Sequence, residues 1–359
     1  MKKRKHLSAI LLTLALALGA LTGCAGTPVS TGDAGTTAAP ETTAAPETTE
    51  APAAMVKTGL SISADISGSK SATAEEDGQA KYDVTLVAVT VNDKGVIESC
   101  VIDSIPATVK FSAAGAVTSD LTADVPTKNE MGEAYGMKAY GGSKFEWNEQ
   151  VAALAAYAVG KTVDELKNGA VDETGHAADA DLASTASIYL GGYVAGIEAA
   201  VNNAQHLGAQ SGDKLVLATV NSLGSSKDAT AEKAGTAQLD AYVTAMTMNA
   251  DVISSCYIDS VQAKVAFDAA GAVTTDLTAP VLTKNELGDN YGMKAYGGAK
   301  YEWYEQAAAF AAYVTGKTPA EVAGIALNEK AAPADADLAA SVTISIGDFQ
   351  ALIAKAAAQ

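Results

Sequence analysis

Three histidines (His6, His176, His206), three cysteines (Cys24, Cys100, Cys256) and one arginine (Arg4) set narrow limits on what this 359-residue chain can do chemically. No two histidines stand at a spacing that would let them share a metal, so a zinc or transition-metal site is not expected. A nucleophile–base system needs a serine or cysteine oriented by histidine and a carboxylate, and the chain contains no Gly-x-Ser-x-Gly elbow. Cys100 and Cys256 fall at equivalent places in two apolar strand-like runs. Either they are small buried side chains, or they pair with each other in a disulfide. Carboxylate pairs suited to acid–base work occur at Glu146/Glu149 and Glu302/Glu305, where the spacing also fits the solvated face of a helix.

The richest constellation is a segment written twice, TKNEMGEAYGMKAYGGSKFEWNEQ over 127–150 and TKNELGDNYGMKAYGGAKYEWYEQ over 283–306. It brings Lys128, Glu130, Tyr135 and Met137 together in one copy and Lys284, Glu286, Tyr291 and Met293 in the other. Amine, carboxylate, phenol and thioether in one irregular loop are the means to hold a ligand. Because neighbouring residues are shared to the same degree, repetition does not separate a functional loop from a structural one. Trp147 and Trp303 close the segment, on helical stripes that point to core packing.

The elements that carry these loops come from an internal duplication. From Cys100 to Leu182 and from Cys256 to Leu338 the copies align at a constant offset, and about 38 of 53 positions are identical between 110–162 and 266–318. One residue is lost where Asp93-Lys94-Gly95 faces Ala250-Asp251, the place for a hairpin turn. Each copy reads as strands first: 60–66, 82–91 and 96–105, repeated at 215–220, 239–248 and 252–261, then a small hairpin at 110–118 and 266–274. Helices follow. One starts at Trp147 or Trp303 and stops at Gly160 or Gly316; the next opens with a capping box, Thr162/Glu165 or Thr318/Glu321. A further strand and a terminal helix are expected over 184–204 and 340–357. The fold class is α+β, with antiparallel sheet and segregated helices, and the copies are assigned to 56–208 and 209–359.

The first residues, MKKRKHLSAILLTLALALGALTGC, give a basic start, an apolar run too short to span a membrane permanently, and a small-residue approach to Cys24. Leu21-Thr22-Gly23-Cys24 resembles the lipobox of bacterial lipoproteins. Residues 1–23 are then a signal peptide, and Cys24 carries the lipid that holds the protein on the outer face of the cell membrane. Residues 24–55, with AAPETT written twice, bury too little apolar surface to fold and read as a tether. Once the leader is removed, 20 lysines stand against 42 acidic residues and no arginine remains. That balance excludes nucleic-acid binding, which needs a basic face.

A resemblance follows from the order of motifs. Hairpin, TKxExGxxYGM loop, EWxEQ helix, GKTxxE helix and an Asp-Ala element before the last helix are together similar to the FMN-binding domain family, over roughly 80–204 and 237–358. That family's hallmark is an Asp-Ala-x-Ser-Gly-Ala-Thr-x-Thr run, in which the first threonine can be joined to FMN by a phosphoester. The matching runs here are Asp179-Ala180-Asp181-Leu182-Ala183-Ser184-Thr185-Ala186-Ser187 and Asp335-Ala336-Asp337-Leu338-Ala339-Ala340-Ser341-Val342-Thr343. The resemblance implies an FMN cofactor near Thr185 and Ser341 and a role as electron carrier beside the membrane. Leucine replaces the motif's serine and alanine its glycine in both copies, and Ser341 stands where the threonine belongs, so covalent attachment is expected to be lost. The competing reading is a non-enzymatic ligand-binding or interaction module that has discarded the flavin.

Overall fold

The computed structural model describes residues 53–359. The signal segment 1–23, Cys24, His6 and most of the linker read over 24–55 lie outside the described residues.

Strand β1 (Lys57–Asp65), β2 (Gly78–Val91) and β3 (Ile97–Phe111) form an antiparallel sheet in sequence order; β4 (Lys214–Ser222), β5 (Gly235–Asn249) and β6 (Val252–Phe267) form a second. Alternation explains how each sheet is used. In β2 the side chains of Ala80, Tyr82, Val84, Leu86 and Ala88 recur every second residue on one buried face, and in β5 Ala237, Leu239, Ala241, Val243 and Ala245 do the same. These faces meet in a single shared core. The opposite faces carry separate cores: Val87, Val89 and Ile102 lie under the helices of the first half, and Met246, Cys256 and Ile258 under those of the second. The described residues are therefore layered helices, sheet, sheet, helices, and 53–359 make one compact unit.

The contacts between the halves are reciprocal. Ala72 N donates to Gly271 O at 2.8 Å and Ala229 N to Gly115 O at 2.7 Å. Val117 N donates to Asp228 Oδ1 at 2.7 Å, and Val273 N to Ser71 Oγ at 2.9 Å. Phe111 stacks on its own counterpart Phe267, centroids 4.0 Å apart and planes 3° from parallel. Such self-pairing marks a local twofold axis, the arrangement of an isologous dimer written into one chain. Gly78 and Gly235 make room for it: a Cβ would come within 2.3 Å of the Phe111 ring and 2.4 Å of the Phe267 ring. Each buried ring contributes about 2 kcal/mol by the area it removes from water.

Helices α1 (Lys128–Met131), α2 (Trp147–Ala158), α3 (Val163–Gly169), α4 (Ala180–Thr185) and α5 (Gly191–Asn202) follow the first sheet. Their counterparts are α6 (Lys284–Leu287), α7 (Trp303–Val314), α8 (Pro319–Ala323), α9 (Ala336–Ala339) and α10 (Gly347–Ala357). The expected helix starts and both capping boxes at Thr162 and Thr318 are present. Three expectations need correction. No strand forms near 184 or 340; those residues are short helix and turn, because Asp179 and Asp335 each cap a helix by accepting two backbone N–H bonds. The TKNE segments are not irregular either, since Thr127/Glu130 and Thr283/Glu286 form capping boxes over one helical turn. Finally, Glu146 and Glu302 are buried rather than solvated. Glu146 accepts from the backbone N–H groups of Met137 and Lys138 at 2.8 and 3.1 Å, and Glu302 from those of Met293 and Lys294 at 2.8 and 2.9 Å. These carboxylates fasten the loop to the helix that follows it.

Cys100 and Cys256 are free thiols. The sheets do pack pseudo-symmetrically, but through the faces opposite the cysteines, which point outward to different helical layers. Burial pushes both thiols up to about 12, so neither is a nucleophile at neutral pH.

Candidate functional site

Helix α1 is a single turn, yet it holds Lys128 in an unusual position. The capping box fixes the turn, and Asp103 Oδ1 on β3 accepts from Asn129 N at 3.0 Å, pinning it to the sheet. Lys128 is thereby driven inward until it is 8% exposed, its ammonium 5.0 Å from the ring centroids of both Tyr135 and Trp147. Among the described residues Lys128 Nζ has neither an ion pair nor a hydrogen bond. The two rings are its neighbours, and the attraction of a cation for an aromatic face is what compensates its burial.

Tyr135 and Trp147 also wall a cleft of about 390 Å3, completed by Met137, Thr85 on β2, and Ile188, Tyr189, Gly192 and Tyr193 around the start of α5. This volume lies within the range of small-molecule sites, about 300–1,000 Å3. The walls are ordered by polar ties beneath them. Trp147 Nε1 donates to Tyr193 Oη at 2.9 Å, and their rings meet edge to face with centroids 5.9 Å apart. Buried Gln150 on α2 accepts from Ser187 N and Ile188 N at 2.8 and 3.2 Å while donating to Phe145 O at 3.1 Å, joining the two loops that flank the cleft.

The second half repeats the frame with different filling. Lys284, 4% exposed, lies 5.1 Å from the Tyr291 centroid and 4.7 Å from that of Trp303, as in the first half, but also 5.1 Å from Tyr242. Tyr242 occupies the place of Thr85. Its ring packs on Phe349, the counterpart of Tyr193, at 5.8 Å and on Trp303 at 6.4 Å. Burial lowers the Lys284 amine to about 8, against the pull of Asp240, Asp259 and Asp348.

The other residues singled out in the sequence go elsewhere. Thr185, half-buried at the end of α4, donates its hydroxyl to Leu182 O at 3.1 Å, and Ser341 donates to Leu338 O at 3.3 Å. Leu182 and Leu338, standing where the FMN motif has serine, are buried in the helical cores. Glu130 closes its capping box and pairs with Lys355 of the other half; Glu286 caps α6. The structure thus brings Tyr135 and Met137 into the cleft wall, sets Lys128 against the wall rings Tyr135 and Trp147, and leaves Glu130 and Thr185 outside.

A larger hollow, about 580 Å3, lies between β6 and α7 and is lined partly by Gln205, His206 and Leu207 of the connecting segment; its counterpart beside Cys100 measures about 370 Å3. It contains no cluster of charged groups. Among the described residues no group of three His, Cys, Asp or Glu side chains is placed to hold a metal, and no helix is long and apolar enough to cross a membrane.

Comparison of the chain with protein-family models, with curated proteins and with solved structures returns no match. The site rests on its own geometry. Sequence reasoning missed Thr85, Ile188, Tyr189, Gly192 and Tyr193 as site residues. Four of the eight wall positions differ between the copies in size or charge, Thr85/Tyr242, Tyr189/Ser345, Gly192/Asp348 and Tyr193/Phe349, but they fall in strand and helix segments where the copies diverge at most positions, so the sequence did not single them out.

Proposed function

We propose that the chain is a membrane-anchored extracytoplasmic lipoprotein, tethered through lipid on Cys24, whose two FMN-binding-like copies form one head that binds a small flat ligand without covalent attachment. The observation that carries this reading is convergence. The TKNExGxxYGM segment supplies Tyr135 and Met137, the residues just after the Thr185 run supply Ile188 and Tyr189, and both meet at the aromatic cleft of the first copy. Those are two of the motifs on which the FMN-binding resemblance rests.

The ring of a flavin suits the walls made by Tyr135, Trp147, Tyr189 and Tyr193. Its phosphate is less well served. The described residues contain no arginine, and the Thr185 hydroxyl is committed to a carbonyl of its own helix. A flavin held here supplies one- and two-electron transfer, and the protein supplies orientation and exclusion of water. Carriage of a covalently linked flavin is the second reading, favoured by the hydroxyl that Thr185 retains at the end of α4.

The mature protein, made in a host that has the flavin-transfer machinery, tests both. The expected product has unmodified mass and takes up added FMN reversibly. A phosphoester-linked mass increment on the Thr185 peptide would establish the covalent carrier instead. Absence of affinity for FMN would leave a binding module for another ligand.

A further inference from the structure

The two halves serve as experiment and control for each other. Every wall residue of the first-half cleft has a counterpart in the second, and the frame of Lys, Tyr, Met and Trp is the same. What differs is that a phenol ring, that of Tyr242, lies beside the Lys284 ammonium at 5.1 Å, against Phe349 and Trp303. In the first half Thr85 ends well short of that position, and Gly192 leaves open the mouth where Asp348 stands in the second. The cleft is thus the space of a missing aromatic ring.

We infer that the first-half cleft is a binding site for a ligand bearing an electron-rich aromatic ring of the phenol class, seated where Tyr242 sits in the second half, and that the protein has one such site rather than two. This inference rests on the binding reading given above and names the chemistry that the site prefers. Two features favour an aromatic ring over a saturated one, and a third concerns its hydroxyl. Lys128 is a nearly buried cation with no anionic partner among the described residues, so it gains most from a ring face. The edges and faces of Tyr135, Trp147 and Tyr193 offer offset or edge-to-face contacts. In the second half burial, and after it the charge of Asp348 and Asp240, holds the Tyr242 hydroxyl up at about 12 and therefore protonated. Asp83 occupies the Asp240 position in the first half, where its Oδ2 is ion-paired with Lys81 Nζ at 2.7 Å.

The test is the stoichiometry of p-cresol binding to the mature full-length protein, with 4-methylcyclohexanol as the saturated control. The wild-type chain should bind one p-cresol and bind the control at least tenfold more weakly. Thr85→Tyr should fill the cleft and abolish binding, whereas Tyr242→Thr should open a second site. Lys128→Met should preserve the cleft but reduce the preference for the aromatic probe several-fold. Equal p-cresol binding by wild type and Thr85→Tyr overturns the inference, and so does equal affinity for the saturated control. FMN titrated in parallel separates the two levels of the argument. If Thr85→Tyr abolishes p-cresol binding but not FMN binding, this site stands and the flavin lies outside the cleft. A single p-cresol site that FMN does not displace supports this site and removes the flavin. No binding of either probe to wild type overturns both.

Discussion

At the scale of single residues, the features that position the site are buried polar groups with a defined task. Asp259 on β6 is the clearest. Its Oδ1 accepts from Ser260 N at 2.7 Å and from Asn285 N at 3.0 Å, which fixes α6 and with it Lys284. Burial raises its carboxyl from 3.8 to about 6 despite those bonds. The native state therefore holds a proton that the unfolded chain has released between about pH 4 and pH 6, so this group's contribution is greatest below pH 4 and is lost as the pH rises through 6. Asp259→Asn keeps an acceptor and removes the titration. Urea unfolding at pH 4.5 and 7.5 should show the variant losing less stability than wild type across that interval, by about 2 kcal/mol; identical losses would contradict the account. The single Asp-for-Gly difference at 348 and 192, and Tyr for Thr at 242 and 85, show how few residues separate an open cleft from a filled one.

At the scale of elements, much was legible because periodicity and capping are local. The sheet strands, the helices beginning at Trp147 and Trp303 and the capping boxes at Thr162 and Thr318 follow from spacing that needs no tertiary partner. No strand forms near 184 because Asp179 satisfies the first N–H groups of a short helix there, a capping contact that ends in a turn before α5. The burial of Glu146 was invisible for the opposite reason: its partners, the N–H groups of Met137 and Lys138, are brought to it by a loop whose path the sequence does not state. The hairpin between β5 and β6 allows a direct check on turn chemistry. Deleting one residue relative to the first copy leaves Ala250 at φ +50°, a region that favours glycine. Ala250→Gly should raise stability by about 0.5–1 kcal/mol, read as a higher urea midpoint at unchanged slope. A lower midpoint would mean that the turn is not strained.

At the scale of the whole molecule, the duplication was plain in the sequence, but the way the copies join was not. Identity between copies says nothing of which faces meet. The deciding residues lie on alternate positions of β2 and β5, together with Phe111 and Phe267; toward the end of each strand the opposite face is apolar as well, at Val87, Val89 and Met246, so alternation alone does not say which face meets the other copy. A shared central core implies that neither half is complete alone. The segment 53–208 expressed by itself should pair with a second copy through the same face, and light scattering should report a dimer; a stable monomer would show that the shared core is not needed. The reciprocal pairing of residues 71–72 with the hairpin at 271–273, and of 228–229 with that at 115–117, gives the contacts such a dimer would reuse.

The cleft beside Lys128 as the ligand site is the claim on which the functional account stands, and the chain's two tryptophans, one in each half, allow it to be tested directly. Trp147 lines the cleft, while Trp303 is packed against Tyr242 and Phe349. Fluorescence titration of the mature protein should be made with FMN and with p-cresol, in Trp303→Phe, which leaves Trp147 as the reporter, and in Trp147→Phe, which leaves Trp303. The account predicts a saturable change in emission from Trp147 with at least one of the two ligands and none from Trp303. A response confined to Trp303, or no saturable response from either, would contradict it.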